Sequence, residues 1–417
     1  LVGSEMCIRD SYGGNACPCV GRLTSHGTPG AFQDRTGPTM TTSLLRRGAT
    51  LALTVPLVLG LAACSDNSGD KKDSTATVTS TTTTAANHVK GLPDGFDLQA
   101  HRGGRGENTE ESAQAFRHAL ELGVTTLEFD IVMSKDGVPV VWHDPEVQAE
   151  KCSDTAPATP GDHFYPYVGK LLHQLTWAQL QTLRCDKKLA KFPAQQVAEG
   201  NRMLQLKDVF ALAKKYGATK DIYYNIETKV EGDHRDWSAE PSVFVNAILS
   251  AVEDAGVQDH VMIQSFDWRT FPLVKAAAPN IPLVMLWDET TWMKGSPWTG
   301  DVRYEDVNGD ILKAAKKLGV QVLSPGYTNP YGLLPGQREY KLVADKEFVQ
   351  AAHQDGFRVV PWTINNKDIL AQQIEAGVDG IITDYPTMLR KVMEDKGMPL
   401  PKSFTVKKEL KEATKKD

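Results

Sequence analysis

The sequence predicts an α/β protein built as a (β/α)8 barrel, with insertions after the hairpin of the second strand and after the strand near residue 285. From Phe96 onward, short apolar segments typical of buried strands alternate with segments of helical periodicity. Glycine follows most of the helical segments, where a helix C-cap favours it. The alternating region is long enough for a barrel of about 250 residues plus insertions.

Nine segments have strand character, which is one more than a barrel needs. The third of them follows the turn signal Asp136-Gly137, so we assign it to a hairpin with the second strand. A doubly wound open sheet is the alternative fold. The predicted strands are Asp97–His101, Thr126–Ile131, Val138–His143, Ile222–Glu227, Val261–Ser265, Ile281–Trp287, Gln321–Ser324, Arg358–Thr363 and Gly380–Thr383. The predicted helices are Glu110–Leu122, Leu206–Tyr216, Glu240–Ala255, Arg269–Ala278, Ile311–Leu318, Lys346–Asp355 and Lys367–Ala376.

Two segments interrupt the alternation, residues 145–203 and residues 288–308. Both follow strand ends on the side where barrel loops build active sites, so we expect loops or lids over the mouth. The first contains Cys152 and Cys185, the two cysteines of the predicted catalytic body. In an exported domain they form a natural disulfide pair, closing a loop worth on the order of 3 kcal/mol; two free thiols are the alternative.

The first 92 residues have the composition of a targeting region. A start at Met40, two arginines, an apolar run and the tetrad Leu-Ala-Ala-Cys ending at Cys64 indicate a signal peptide over 40–64. The tetrad resembles the lipobox of bacterial lipoproteins, which implies lipidation of Cys64, export and attachment to the cell envelope; a plain signal peptide is the alternative. Residues 1–39 are interpreted as an artefactual upstream segment and residues 65–92 as a disordered tether. The barrel domain is expected over 93–397, followed by a charged tail over 398–417.

The net charge of −6, from 46 basic and 52 acidic residues, argues against a nucleic-acid partner, which would call for a basic surface. Charged residues instead collect at the carboxyl ends of the predicted strands, which converge in a barrel. Glu128 and Asp130 face the same side of one strand, and Glu227 ends another. Three carboxylates suit Ca²⁺ or Mg²⁺; salt bridges to Arg102 and Lys229 are the alternative.

Several motifs at these strand ends form an ordered set. They are His101-Arg102-Gly103, Glu107-Asn108-Thr109, Glu128-Phe129-Asp130, Lys135-Asp136-Gly137, His143-Asp144, Asn225-Ile226-Glu227-Thr228-Lys229, Gln264-Ser265-Phe266, Pro361-Trp362-Thr363-Ile364-Asn365 and Thr383-Asp384. The set resembles the glycerophosphodiester phosphodiesterase family over about 290 residues. One departure is Gly106, where the family usually has proline before Glu-Asn-Thr.

The resemblance implies hydrolysis of glycerophosphodiesters to sn-glycerol 3-phosphate and an alcohol. It implies that His101 and His143 act as general acid and base, and that Arg102 and Lys229 bind phosphate. A divalent ion, Ca²⁺ or Mg²⁺, would be held by Glu128, Asp130 and Glu227. Trp362 would line the glycerol side of the pocket or serve as barrel packing.

Two other functions remain open from the sequence. The first is cleavage of a membrane lipid by a phospholipase D or a phosphatidylinositol lyase on a similar barrel, which the tryptophans and the lipid tether could favour. The second is a non-catalytic surface-binding lipoprotein, which predicts the loss of at least one reacting residue, whereas all the expected ones are present.

Overall fold

The computed structural model describes residues 89–406, and the account below concerns those residues. Its strands are β1 Asp97–His101, β2 Thr126–Met133, β3 Pro139–Val141, β4 Leu204–Gln205, β5 Tyr223–Thr228, β6 Val261–Ser265, β7 Leu283–Trp287, β8 Val322–Pro325, β9 Arg358–Val359 and β10 Gly380–Thr383. Its α-helices are α1 Ala113–Leu122, α2 Trp177–Leu180, α3 Leu206–Lys215, α4 Pro241–Ala255, α5 Thr270–Ala277, α6 Ile311–Leu318, α7 Lys346–Gln354, α8 Lys367–Ala376 and α9 Pro386–Asp395. None of the helices between residues 89 and 406 has the length and apolar character needed to span a bilayer.

Eight parallel strands form the central sheet in the order β10-β1-β2-β5-β6-β7-β8-β9. The two end strands are joined by backbone hydrogen bonds rather than by a regular ladder. Asp379 N donates to Val359 O at 2.8 Å, Ile382 N to Pro361 O at 3.1 Å and Ile364 N to Ile382 O at 3.0 Å. The sheet therefore closes, and the predicted (β/α)8 barrel is confirmed. A doubly wound sheet is wrong, because neighbouring strands follow chain order around the barrel.

The predicted hairpin is present, since β3 pairs antiparallel with β2 and β4 pairs with β3. Two element bounds differ from the prediction by more than two residues. Helix α1 begins at Ala113 rather than at Glu110, because the Ser112 side chain caps it by accepting from Ala115 N. Strand β9 ends at Val359, shortly before Pro361, which has no N–H to donate. Helix α9 was not predicted.

Two predicted domain boundaries also need correction. Leu92, placed in the tether, is 2% exposed and packs with Met262 and Val284 inside the barrel. Phe404, placed in the charged tail, is 4% exposed, and its N–H donates to Leu120 O at 2.9 Å. Both segments carry an apolar side chain that a purely polar tether or tail would lack. The predictions for residues 1–39, for 40–64 with Cys64 and for 65–88 lie outside the described residues.

The insertion of residues 145–203 has a hydrophobic core of its own against the β2–β3 hairpin. Cys152 and Cys185 belong to this core and are joined by a disulfide. The insertion also touches the loop after β1, where Gln195 Nε2 donates to Arg105 O at 2.7 Å. It therefore lies beside the mouth of the barrel.

The second insertion carries two tryptophans that are packed rather than presented to solvent. Trp292 packs in tilted contacts with Trp268 and Tyr304, whose ring centroids lie 5.2 and 5.0 Å away. Trp298 is 8% exposed, and its ring lies 6.4 Å from that of Phe266.

Candidate active site

The strand register brings the predicted site residues together at the carboxyl ends of the barrel strands. His101 is the register partner of Glu128 between β1 and β2, and Asp130 is the partner of Glu227 between β2 and β5. Side chains of alternate residues on a strand share one face. Glu128 and Asp130 therefore project together beside the ends of two neighbouring strands.

Glu128, Asp130 and Glu227 each offer a carboxylate oxygen, and these oxygens lie within 4.8 Å of one another. All three residues are buried. Asp130 Oδ1 has no hydrogen-bond donor among the described residues. A buried carboxylate oxygen without a donor needs a compensating partner. A set of oxygen ligands around such an atom fits a hard divalent cation.

The raised pKa values of two of these carboxyls indicate that the cluster has too few positive charges around it. Burial, together with Asp130 and Glu227, raises the pKa of Glu128 well above its usual value. Burial raises the pKa of Glu227 to about 8, against the opposing effect of Lys229. Burial would also raise the pKa of Asp130, but Arg102 and other nearby cations hold it below its usual range. The cluster therefore retains protons that a bound cation would displace.

The wider network has the same imbalance. Within the described chain, seven largely buried carboxylates interact with four cationic side chains. The carboxylates are Glu110, Glu111, Glu128, Asp130, Asp144, Glu227 and Asp384, and the cations are Arg102, Arg105, Lys151 and Lys229. With every carboxylate ionised and both histidines neutral, the network has an excess of three negative charges, which a divalent ion would largely offset.

Arg102 contacts the carboxylate cluster through both backbone and side chain. Its N–H donates to Glu128 Oε2 at 3.0 Å, and its Nε lies 3.0 Å from Asp130 Oδ2. This geometry needs a left-handed backbone, with φ +51° at Arg102 and +76° at Gly103. A Cβ at Gly103 would lie 2.8 Å from Ala115 Cβ, so glycine is required where the loop turns over α1.

Lys229 lies on the same side of the site, at the end of β5. Its Nζ donates to Glu227 Oε1 at 2.8 Å and lies 5.9 Å from the centre of the Phe266 ring. The predicted salt bridges from Arg102 and Lys229 are thus present, and they coexist with the carboxylate cluster. The charges of Arg102 and Lys229 do not balance the negative charge of the cluster, so the salt bridges and a metal site are compatible.

Each predicted catalytic histidine is bound through Nδ1 to a carboxylate. His101 Nδ1 lies 2.5 Å from Asp384 Oδ1, and His143 Nδ1 lies 3.0 Å from Asp144 Oδ1. Burial would raise the pKa of both aspartates, but neighbouring cations hold them below their usual values, so both accept hydrogen bonds.

Burial also determines the protonation of the two imidazole rings. It lowers the pKa of His101, and together with the nearby cations it lowers the pKa of His143 to about 3. In their protonated forms both rings would lower the pKa of Asp130, so both lie near the cluster. Each neutral ring therefore carries its proton on Nδ1 and leaves Nε2 as the free nitrogen.

Trp362 belongs to an aromatic wall at the mouth. Its ring centroid lies 5.2 Å from that of Phe266 and 4.9 Å from that of Tyr331, and its Nε1 donates to Ser324 O at 2.8 Å. The ring is half-buried, so it both packs and presents a face.

One motif of the predicted set lies elsewhere. Glu107 contacts His118 at 2.9 Å and the Thr387 N–H at 2.9 Å, so it joins α1 to α9 outside the site. The acids that enter the site network are Glu110 and Glu111, which sequence reasoning assigned to a helix. Glu111 accepts from Asp130 N at 3.0 Å. The signal available was Ser112, whose capping places these two acids in the turn before α1.

Comparison with known proteins identifies the family. The profile described as the glycerophosphoryl diester phosphodiesterase family matches residues 101–388. A glycerophosphodiester phosphodiesterase of Caldanaerobacter subterraneus is 27% identical over 298 residues, covering 72% of this chain and 98% of that relative. A solved structure from Silicibacter pomeroyi, described under the same family name, is 26% identical with a TM-score of 0.59, covering 76% of this chain and 97% of that one.

A phosphodiesterase of Oleispira antarctica, solved with sn-glycerol-3-phosphate, is 18% identical with a TM-score of 0.51. The match covers 73% of this chain and 97% of that one, and it shows a shared fold. The family profile alone spans more than half of the sequence. The chain therefore belongs to the glycerophosphoryl diester phosphodiesterase family.

Proposed function

We propose that this protein hydrolyses glycerophosphodiesters to sn-glycerol 3-phosphate and an alcohol. The observation that carries the proposal is the cluster of three buried carboxylates, with oxygens within 4.8 Å of one another, beside two histidines. Family membership supports the substrate class. The relative from C. subterraneus carries the name of this activity.

Glu128, Asp130 and Glu227 would hold one divalent cation, Ca²⁺ or Mg²⁺, because all three offer hard oxygen ligands. When bound, the ion supplies a Lewis acid that offsets charge developing on the phosphate. The unpaired Oδ1 of Asp130 supports this arrangement.

The residues of the chain perform the binding and the proton transfers. Arg102 and Lys229 place two positive charges beside the cluster, where they attract and orient the phosphate. One histidine accepts the proton of the attacking hydroxyl at Nε2 while the new P–O bond forms. The other must enter this step as the imidazolium, protonated at Nε2 as well as Nδ1 once the anionic phosphodiester is bound, and it gives its Nε2 proton to the leaving oxygen as that P–O bond breaks. The proton that the first ring takes up replaces the one that the second ring releases, so the proton count is conserved.

Asp384 and Asp144 keep the two rings in the tautomer that this requires. Each carboxylate also stabilises the imidazolium that forms when Nε2 takes up a proton. Trp362 lines the glycerol side of the pocket in this proposal, since its ring forms part of the wall with Phe266 and Tyr331.

The direct test measures release of glycerol 3-phosphate from glycerophosphocholine by the purified protein. We expect activity with Ca²⁺ or Mg²⁺, none after EDTA treatment, and none in the double variant His101→Ala/His143→Ala. His118→Ala is the matched control, because His118 is 40% exposed and pairs with Glu107 outside the site. Unchanged activity in the double variant refutes the proposal.

Cleavage of a bilayer lipid remains the second candidate, and the structure weakens its main support. The tryptophans of the second insertion, Trp292 and Trp298, are packed against other rings instead of forming an exposed apolar surface. Comparing micellar lysophospholipid with soluble glycerophosphocholine separates the two functions. Faster turnover of the micellar substrate would favour the lipid-directed activity.

We further propose that the protein is an exported lipoprotein attached to the envelope through Cys64. The Leu-Ala-Ala-Cys tetrad supports this, as does the disulfide, since such bonds persist in oxidising compartments. In cells, Cys64→Ala should move the protein from the membrane fraction to the soluble one. Retention in the membrane fraction would contradict lipidation at this residue.

A further inference from the structure

His143 is oriented by a carboxylate that is itself held by another side chain. Asp144 uses Oδ1 for His143 Nδ1 at 3.0 Å, and its Oδ2 accepts from Lys151 Nζ in a short contact. A carboxylate with both oxygens engaged cannot rotate without losing a charged partner. The orientation of the imidazole therefore depends on the lysine as well as on the aspartate.

Lys151 is fixed at a second point. Its Nζ donates to Glu110 Oε1 at 2.5 Å, and Glu110 in turn lies 3.4 Å from Arg102 Nη1. The Lys151 side chain is only 9% exposed and crosses the Trp142 ring at 5.2 Å. Burial would lower the pKa of this lysine, but Glu110 and Asp144 raise it above its usual value, so the ammonium stays charged.

The insertion of residues 145–203 determines where this ammonium lies. Lys151 directly precedes Cys152, which is fully buried and disulfide-bonded to Cys185. The Lys151 and Cys152 N–H groups both donate to Gln148 O, at 3.1 and 2.9 Å. A tight turn and a covalent cross-link thus hold the backbone from which the lysine reaches the site.

We propose that Lys151, supplied by the insertion, is a positioning residue for His143 that acts through Asp144. The inference rests on the proposed function, because it concerns the same reaction. Without the ammonium, Asp144 and Glu110 face each other as buried carboxylates with one partner fewer, and Asp144 turns away from the ring. His143 then loses its fixed tautomer, while the carboxylate cluster and Arg102 remain.

The test compares kcat and KM for glycerophosphocholine in Lys151→Met, Lys151→Arg and the control Lys188→Met. Lys188 lies in the same insertion but is exposed. We expect kcat of Lys151→Met to fall by about ten- to a hundredfold, the usual range for residues that orient a ligand or catalytic group. KM and the affinity for the metal should stay within about threefold. Lys151→Arg should recover most of kcat, and Lys188→Met should match the wild type.

A double-mutant cycle with Asp144→Asn makes the test independent of general destabilisation. If Lys151 acts through Asp144, the double variant is no slower than Asp144→Asn alone. Should Lys151→Met fail to fold, Lys151→Gln replaces it in the same cycle. Wild-type kcat in the folded neutral variant, or fully additive losses in the cycle, would overturn the inference. An inactive wild-type protein would refute the proposed function instead, so the two failures are distinguishable.

Discussion

Binding of the divalent cation should release protons and should strengthen as pH rises toward about 9. Burial raises the pKa of Glu227 to about 8, so at pH 7 this carboxyl is mostly protonated in the metal-free protein. A cation must displace that proton before Glu227 can act as a ligand. Since pH 7 lies one unit below this pKa, the protonated form of Glu227 outnumbers the ionised form about tenfold. About 0.9 proton should therefore leave Glu227 for each ion bound at pH 7.

The direction of this pH dependence follows from the raised pKa of Glu227. Below about pH 8 each unit of acidification should weaken binding about tenfold through Glu227 alone, and above about pH 9 the dependence through this residue should vanish. Burial also raises the pKa of Glu128, so this residue makes the metal affinity depend still more steeply on pH. Calorimetry in buffers of different ionisation enthalpy measures both the affinity and the number of protons released.

Two variants give this prediction its control. Glu227→Gln should reduce the slope of the logarithm of affinity against pH by about one, since a single titrating ligand is removed. Glu231→Gln should leave the slope unchanged, because Glu231 is also buried with a raised pKa but is not one of the three clustered carboxylates. An affinity that does not vary between pH 6 and 8 would refute the reasoning.

Three further predictions concern single features of the structure. Arg102→Lys should lower kcat/KM by about 10²-fold in the hydrolysis assay, because a lysine cannot reproduce the planar fork beside Asp130; near-wild-type kcat/KM would be contrary to this. Gly103→Ala should reduce the free energy of unfolding by about 1–3 kcal/mol in denaturant titrations, given its positive φ and the close approach of α1. Reducing the Cys152–Cys185 disulfide, which closes 33 residues, should cost about 3–4 kcal/mol by the same measurement, and an unchanged midpoint would contradict it.

The barrel could be predicted because its signals are local. Alternating apolar strands and amphipathic helices are visible within short windows, and glycines such as Gly123 and Gly256 do adopt the left-handed C-cap conformation. One missed element, α9, starts at Pro386, and proline is favourable at the first position of a helix, a signal that was not used.

The main part of the site could be predicted because its residues lie at strand ends, whose positions follow from the fold. The supporting network could not, because its contacts join distant parts of the chain. Lys151 meets Glu110 across 41 residues, and Asp384 meets His101 across 283. The Glu107 motif was misplaced because three neighbouring acids precede α1, and only the helix cap shows which of them turn inward.

The segment that leads into the barrel contacts it at the end opposite the catalytic residues. Leu92 fills the barrel interior at the amino ends of the strands, Gly91 packs on Pro282 just before β7, and Arg358 at the start of β9 donates to Pro93 O. The chain thus arrives through the floor of the barrel, opposite the rim that holds the histidines. An attachment upstream of this point would therefore reach the domain at the end of the barrel opposite the catalytic opening.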